Sequence, residues 1–237
     1  MREIPEPRPA STVVLLRDGE DGLETLLLKR NKALMFAGGF WVFPGGALDP
    51  EDLDAAGGDE VEASRIAAAR EAQEESGLMP HLEDMVLLSH WTTPEVEPKR
   101  FSTWFYAAPV ASQDEVVIDG GEIHDSQWIG VREALAQHEA GELGILPPTY
   151  VNLLNLSRYD DLAQMLAEER VSAAPELMPV IGSDDGDLAV MFPGDAGYGS
   201  GDATAPGARH RVTLRDSRWD YAYAGDPDFP CMAPGKV

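Results

Sequence analysis

The sequence REAQEESGL at residues 70–78 decides the fold, because it places Glu71, Glu74 and Glu75 at helical spacing. Side chains three and four positions apart lie on one face of an α-helix, so the three carboxylates should converge. Such charges repel one another, and the helix dipole disfavours them further near the end of a helix. A bound cation would offset both penalties, and oxygen ligands suit Mg²⁺ or Mn²⁺ better than zinc.

A helix over residues 60–76 is predicted around this stretch. Asp59, followed three positions later by Glu62, is typical of a helix start, and Gly77 is a residue that commonly ends helices. Arg70 lies four positions before the second glutamate of the cluster and can pair with it and fix its direction. The ordinary alternative for adjacent glutamates is a solvated acidic face, so the surrounding residues must decide between the two readings.

Upstream of this helix, a short aromatic segment at residues 40–43 runs into Pro44, Gly45 and Gly46. Proline cannot donate to a β ladder, and glycine permits backbone angles that other residues avoid. We therefore predict that a strand ends here in a tight loop, whose backbone can approach a metal ion or a phosphate. The acidic residues 47–59, rich in glycine and alanine, are predicted to form an exposed loop.

Apolar segments and helical patterns alternate along the rest of the chain. Strands are predicted near residues 12–16, 23–29, 85–91, 101–110, 123–129, 188–192, 211–214 and 219–223, and helices near 131–139 and 148–168. This alternation predicts an α/β fold with a mixed sheet covered by helices on both faces. We divide the chain into a flexible N-terminal arm (1–10), a main domain (11–170) and a small β-rich C-terminal extension (171–237).

The composition argues against several classes of protein. The 237 residues can bury an ample core, and no apolar run is long enough to cross a bilayer. A formal charge of −24 repels nucleic acids and anionic membranes, so neither is expected as a partner. A small phosphorylated substrate is compatible with this charge, because a bound divalent ion can reverse the local electrostatic potential at its site. The single cysteine, Cys231, and an N-terminus without an apolar signal core predict a cytoplasmic location.

These residues together resemble the signature of the Nudix hydrolases, which reads Gly, five residues, Glu, seven residues, Arg-Glu-apolar-x-Glu-Glu-x-Gly-apolar. Glu62, the seven residues after it and residues 70–78 fit the second part of the signature throughout. Gly46 lies sixteen positions before Glu62, where the signature has six, so an insertion of about ten residues is expected within 47–59. The resemblance implies a Nudix-type α/β/α sandwich that hydrolyses a nucleoside diphosphate linked to another moiety.

Further segments are similar to one subgroup of the family, the coenzyme A diphosphatases. They are residues 26–30, 39–46, 93–94, 100–105, 122–128 and 146–149. The basic stretch that marks coenzyme A enzymes is poorly matched, since residues 31–39 supply only Lys32. The substrate therefore stays open between coenzyme A or its acyl derivatives and a second group of ADP-ribose, dinucleotides and nucleotide sugars. A nucleotide-sensing module without catalysis is the non-enzyme alternative.

The resemblance implies a role for each site residue. Arg70, Glu71, Glu74 and Glu75 are the expected catalytic residues, and the three glutamates are the expected ligands of Mg²⁺ or Mn²⁺. The metal would neutralise the pyrophosphate and orient a water molecule for in-line attack. The general base stays open among Glu75, Glu97, Glu115 and Glu122.

Substrate contacts are expected from two cationic and two backbone groups, Arg30, Arg100, Gly45 and Gly46. Glu62 is expected to support the loop or the metal site from nearby. The partner is a small nucleotide-diphosphate molecule. A homodimer is compatible with the resemblance, but the sequence does not decide it.

Overall fold

A computed structural model describes residues 4–32, 37–111 and 115–224 of the chain. The strands are β1 Arg8–Gly19, β2 Gly22–Arg30, β3 Trp41–Val42, β4 Gly45–Ala47, β5 Val86–Thr92, β6 Phe101–Pro109, β7 Ile123–Gly130, β8 Glu176–Leu177, β9 Val180–Asp184, β10 Asp187–Met191, β11 Arg209–Arg215 and β12 Arg218–Ala224. The α-helices are α1 Pro50–Ala55, α2 Glu60–Ser76, α3 Val131–Glu139, α4 Pro147–Leu156 and α5 Leu162–Glu169.

The central sheet contains both parallel and antiparallel strand pairs, and its strands β1 and β2 separate along part of their length. Its order is β3-β2-β1-β6-β5-β8, with β7 paired to β2 and β4 paired to β1. β1 runs parallel to β6 and antiparallel to β2, but its ladder with β2 covers only residues 16–19. The other half of β1 pairs with β4, so that Ser11 lies opposite Gly46. The sheet therefore divides where β1 and β2 separate, and β4 lies in the gap. We call Pro44, Gly45 and Gly46 the glycine loop.

Side chains of the central sheet alternate between two apolar clusters, as the period of two of a β-strand requires. On one face, Val13 and Leu15 pack in a cluster with alanines of α2. On the other face, Val14 and Leu16 pack in a cluster with Leu153 of α4 and with strands of the C-terminal extension. The predicted α/β/α sandwich with a mixed sheet and an additional C-terminal sheet is confirmed.

Helix α2 has the predicted bounds, and the local sequence explains both ends. The Asp59 side chain accepts a hydrogen bond from the backbone N–H of Glu62 at 3.0 Å. Gly77 ends the helix at φ 74°, a left-handed conformation that strongly favours glycine. The face that packs on the sheet is made of small residues, namely Ala63, Ala67, Ala68, Ala69 and Ala72.

Three sequence predictions require correction. Strand β1 begins inside the predicted flexible arm, because Arg8 and the residues after it pair with β6 from Phe101 onward. Helix α1 lies inside the predicted loop 47–59, because Asp49 caps it and Pro50 suits its first turn. The predicted helix 148–168 is two helices, since Asp161 caps a new helix, α5, after a turn.

The C-terminal extension forms a four-stranded antiparallel sheet of order β12-β11-β10-β9, whose strand β9 was not predicted. Strand β8, also unpredicted, joins the central sheet through β5. Val190, Val212 and Trp219 belong to the same buried cluster as helices α3 and α4, so the extension shares the main core. Cys231 lies outside the described residues. None of the helices in the described ranges combines the length and apolar character needed to span a bilayer.

Candidate active site

The C-terminal half of α2 packs its carboxylates against the backbone of the glycine loop. The Gly45 N–H donates to Oε2 of Glu75 at 3.0 Å. A Cβ atom at Gly46 would collide with the Glu71 carboxylate, and one at Gly45 would collide with the Ser11 carbonyl. Glycine is therefore required at residue 45, where a side chain would meet backbone, whereas a side chain at residue 46 would displace the Glu71 carboxylate. The expected proximity of loop and acidic helix is present.

Arg70 is the centre of the polar contacts on the outer side of this helix. Its Nη1 lies 2.9 Å from Oε1 of Glu71 and 3.3 Å from Oε2 of Glu74, which is the predicted i,i+4 pair. Its Nε and Nη2 lie 3.2 and 3.0 Å from the two oxygens of Asp52, and Nη2 also donates to the Ala47 carbonyl. A bidentate guanidinium–carboxylate pair fixes direction as well as charge, so Asp52 determines how Arg70 meets Glu71.

Sequence reasoning missed Asp52, although a signal was present. Asp52 stands six positions after Gly46, which is the signature spacing with aspartate in place of glutamate. It is 3% exposed, whereas Glu62 pairs loosely with Arg65 at 4.0 Å. Nine positions before Glu71, Glu62 lies on about the opposite side of the helix. The expectation that Glu62 supports the site is therefore replaced by Asp52. Asp52 and Arg70 are eighteen positions apart where the signature has eight, so about ten extra residues lie between them.

The two inward carboxylates are Glu71 and Glu75. The side chain of Glu71 is 15% exposed, and Glu75 as a whole residue is 7% exposed. Burial raises the pKa of Glu75 to about 8, the nearby Glu71 and Glu122 carboxylates add to this, and the Gly45 N–H and Arg30 oppose it. Burial also raises the pKa of Glu71 against the opposing effect of Arg70. Buried, mutually repelling carboxylates are the donor set that a hard divalent cation stabilises in its ionised form.

Glu74 differs from the other two glutamates. Its side chain is 59% exposed and is held outward by Arg70. Within the described ranges, no three histidine, cysteine or carboxylate side chains are grouped closely enough to hold a metal ion. A three-carboxylate site thus requires Glu74 to change rotamer toward Glu71 and Glu75.

Arg30 and Glu122 face Glu75 from the other side. Nη2 of Arg30 lies 3.0 Å from Oε2 of Glu122, and both charges act on Glu75. Among the residues that the structure describes, the buried Nε of Arg30 has no hydrogen-bond partner. The Asp119 carboxylate accepts the backbone N–H of Glu122 at 2.9 Å, so the start of β7 is fixed by a local turn.

The remaining predicted residues are two carboxylates, Glu97 and Glu115, and one cation, Arg100. Glu97 and Glu115 are exposed, with Glu97 in the turn between β5 and β6. Arg100 is 7% exposed and donates to the carbonyls of Thr93 and Pro5 at 3.0 and 2.9 Å. Its guanidinium thus ties the N-terminal segment to the end of β5. Arg100 has a structural role instead of the expected contact with substrate.

A protein-family model described as NUDIX domain matches residues 6–148. Because this match covers more than half of the chain, the chain belongs to the Nudix family. It is accordingly a pyrophosphohydrolase that acts on nucleoside diphosphate derivatives, in a family whose members generally use divalent metal ions.

Individual relatives agree with this assignment. The chain is 27% identical over 210 residues to nudix hydrolase 7 of Caenorhabditis elegans, covering 73% of this chain and 69% of that protein. The chain is also 25% identical over 127 residues to the acyl-coenzyme A diphosphatase NUDT19 of Xenopus laevis. This match covers 51% of this chain and 33% of that protein. A solved NUDIX hydrolase from Alicyclobacillus acidocaldarius shares the fold, with TM-score 0.65, 24% identity, 72% of this chain and 100% of that chain covered.

Proposed function

We propose that the chain hydrolyses its substrate with the help of Mg²⁺ or Mn²⁺ held by Glu71, Glu75 and, after a change of rotamer, Glu74. The observation that carries this proposal is the pair of buried carboxylates facing the backbone of Gly45 and Gly46. When bound, the ion would neutralise the pyrophosphate oxygens and orient a water molecule. Arg70 would hold Glu71 in place through its bidentate pairing with Asp52.

Glu122 is the proposed general base. Of the four carboxylates considered from the sequence, Glu75 is already engaged by the Gly45 N–H and is assigned to the metal. Glu122 is 60% exposed at its side chain, so water can reach it, while Arg30 keeps it beside Glu75. A carboxylate held at this place could accept a proton from an attacking water molecule.

Arg30 is the proposed contact for a substrate phosphate. Its guanidinium has a buried Nε without a partner in the described chain, and phosphate oxygens are preferred acceptors of guanidinium N–H groups. Gly45 and Gly46 are proposed substrate contacts because they lie against Glu75 and Glu71, which the same phosphates would approach through the metal ion.

Coenzyme A or an acyl derivative is the proposed substrate, and the proposed location is the cytoplasm. The substrate rests on similarity to the Xenopus acyl-coenzyme A diphosphatase, which is a partial match. ADP-ribose, dinucleotides and nucleotide sugars form the second substrate group. A sensing module is less favoured, because Arg70 and all three glutamates of the signature are present.

The test is a hydrolysis screen with Mg²⁺ and with Mn²⁺ over coenzyme A, acyl-coenzyme A, ADP-ribose, dinucleotides and nucleotide sugars. Cleavage between two phosphorus atoms yields two phosphomonoesters, which mass spectrometry identifies. We expect Glu75→Gln to lower kcat by about a hundredfold or more, because the metal loses a buried ligand. Glu62→Gln, on the opposite side of the same helix, is the matched control and should stay within about twofold of wild type.

Undiminished turnover by Glu75→Gln would refute the metal assignment. Absence of turnover by wild type across the panel would favour the sensing alternative. Turnover of ADP-ribose or a dinucleotide without turnover of coenzyme A would remove the substrate proposal and leave the site assignment intact.

A further inference from the structure

The C-terminal sheet is anchored to the main domain by Trp219 of β12. The backbone N–H of Trp219 donates to Nε2 of His138 at 2.8 Å, and its indole Nε1–H donates to the carbonyl of Ile145 at 2.9 Å. Trp219 is 8% exposed and His138 is 2% exposed, so these hydrogen bonds are shielded from water. Buried hydrogen bonds of this kind are costly to leave unmade.

Residues 143–146, which we call the bridging segment, are held by His138 and by the indole of Trp219. The second ring nitrogen of His138, Nδ1, lies 2.8 Å from the Leu143 carbonyl. Because Nε2 accepts from Trp219, the neutral imidazole carries its proton on Nδ1 and donates it to Leu143. The imidazole and the indole thus hold two successive parts of the same short segment, at Leu143 and at Ile145.

The bridging segment is in turn the outer neighbour of β3. The backbone N–H of Trp41 donates to the Gly144 carbonyl at 2.9 Å, and Trp41 pairs with Ile145 in a parallel bridge. Strand β3 has only two residues, and its inner neighbour β2 meets it only at Leu28 and Lys29. So short a strand gains little order by itself, and the bridging segment supplies its second flank.

Strand β3 leads directly into the glycine loop of the active site. Phe43 after it is 3% exposed, and the Pro44 carbonyl accepts from the Val13 N–H at 2.9 Å. Next comes Gly45, whose N–H holds Glu75. The loop is therefore fixed by β1 on one side and by β3, through the bridging segment, on the other.

We propose that Trp219 and His138 are positioning residues for the glycine loop, so that the C-terminal extension is part of the support of the active site. The extension holds the bridging segment, the bridging segment holds β3, and β3 sets where Gly45 meets Glu75. Neither residue touches substrate. The kinetic arm of the test rests on the proposed function, whereas the hydrogen-exchange arm does not.

The first variant is Trp219→Phe, which keeps an aromatic ring in the core and removes the indole N–H that binds Ile145. Val190→Ala is the matched control, because Val190 is buried in the same cluster on β10 and is 4% exposed. Truncating a buried valine should lower the melting temperature without acting on the bridging segment. Both variants are compared with wild type in the full chain, at temperatures equally far below their own melting points.

Amide hydrogen exchange reads the coupling directly. We expect exchange at the Trp41 and Gly45 amides to rise about tenfold in Trp219→Phe and to stay near wild type in Val190→Ala. On the substrate identified by the screen, kcat should fall about tenfold in Trp219→Phe with KM within about twofold, since small displacements of catalytic groups are costly. Equal exchange in the two variants, or equal kcat, would overturn the proposal.

A second pair of variants covers the case in which Trp219→Phe does not fold. His138→Phe preserves the ring volume and removes both hydrogen bonds, whereas His138→Gln keeps one donor and one acceptor. We expect faster exchange at Trp41 in His138→Phe and a partial return toward wild type in His138→Gln. Identical exchange in these two variants would contradict a positioning role. If wild type turns over no substrate, these exchange measurements still decide the coupling on their own.

Discussion

Replacement of Asp52 by alanine tests how α1 stabilises the catalytic helix. Asp52 holds Arg70 with two hydrogen bonds, at 3.2 and 3.0 Å, and its Oδ2 also accepts the backbone N–H of Asp49 at 2.9 Å. The carboxylate is 3% exposed, while the Arg70 side chain is 25% exposed. Asp52→Ala therefore removes one buried partner and leaves a guanidinium that water can partly reach.

The expected loss of stability follows from these contacts. Breaking a fully buried ion pair from one side costs about 3–5 kcal/mol, and partial exposure of Arg70 reduces this to about 2 kcal/mol. Loss of the contact that starts α1 adds about 1 kcal/mol. The free energy of unfolding should fall by about 3 kcal/mol, which corresponds to a melting temperature lower by roughly 6–12 °C for a chain of this size. Because Arg70 then loses its fixed direction toward Glu71, kcat should fall about tenfold to a hundredfold.

The assay combines urea unfolding with steady-state kinetics below the melting point of the variant. Asp54→Ala is the matched control, since Asp54 lies on the same helix but is exposed, and its free energy of unfolding should change by less than about 0.5 kcal/mol. A free energy of unfolding and a kcat of Asp52→Ala equal to those of Asp54→Ala would refute the reasoning.

Three further predictions concern other parts of the molecule. Gly46→Ala should lower kcat at least about tenfold in steady-state assays, because the added methyl group displaces the Glu71 carboxylate. Asp195→Ala should reduce the free energy of unfolding in urea by about 3–5 kcal/mol, because it leaves the 1%-exposed Arg211 without its bidentate partner. Burial lowers the pKa of His138 below its ordinary 6.5, so the unfolded chain binds more protons than the folded chain as the pH falls. The stability that comes from the neutral ring is complete above pH 6.5 and should decline below it. Urea titrations of His138→Phe should therefore show a smaller dependence of the free energy of unfolding on pH.

Each of these predictions has an outcome that would contradict it. Gly199→Ala is the control for the glycine substitution, since a Cβ atom there meets no neighbour within 4 Å; equal kcat in the two variants would disprove the steric account. Asp160→Ala is the control for the buried ion pair, because Asp160 and Arg132 are 80% and 56% exposed. Similar stability losses in the two aspartate variants, or an unchanged pH slope in His138→Phe, would show that burial does not govern these contributions.

The features predicted correctly from the sequence are those that local chemistry determines. Both ends of helix α2 were predicted correctly because the residues that set them act locally. Asp59 accepts a hydrogen bond from the N–H of Glu62, and Gly77 donates its N–H to the carbonyl of Gln73, so each partner is only three or four positions away. The end of the aromatic strand before Pro44 was predicted from the proline and the two glycines, but the pairing of Gly45–Ala47 with β1 as strand β4 was not. Side-chain rotamers were not predictable, so the outward direction of Glu74 is information that only the structure supplies.

The features that were missed depend on contacts between residues distant in sequence. Helix α1 has six residues, too few to be stable by its local cap alone, and the pairing of its buried Asp52 with Arg70, eighteen positions later, adds a contact that the local sequence does not show. Arg100 looked like a substrate contact because it is a cation beside a strand, but its carbonyl partner at Pro5 lies 95 positions away. No local pattern identifies the contact of Arg100 with Pro5, whereas the spacing of Asp52 from Gly46 was a signal that the sequence did contain.

The signature residues of this family therefore supply the proposed metal ligands, but they do not determine the geometry that these side chains adopt. Asp52, which stands at the position of the signature's first glutamate, directs Arg70 on the outer side of α2. Trp219, from the extension, anchors the bridging segment beside β3, which leads into the glycine loop. If both supports act as the contacts indicate, combining Asp52→Ala with Trp219→Phe should give nearly additive losses of free energy of unfolding, since they contact different elements. Their effects on kcat should be less than additive, because both displace the same approach of Gly45 and Gly46 to Glu71 and Glu75.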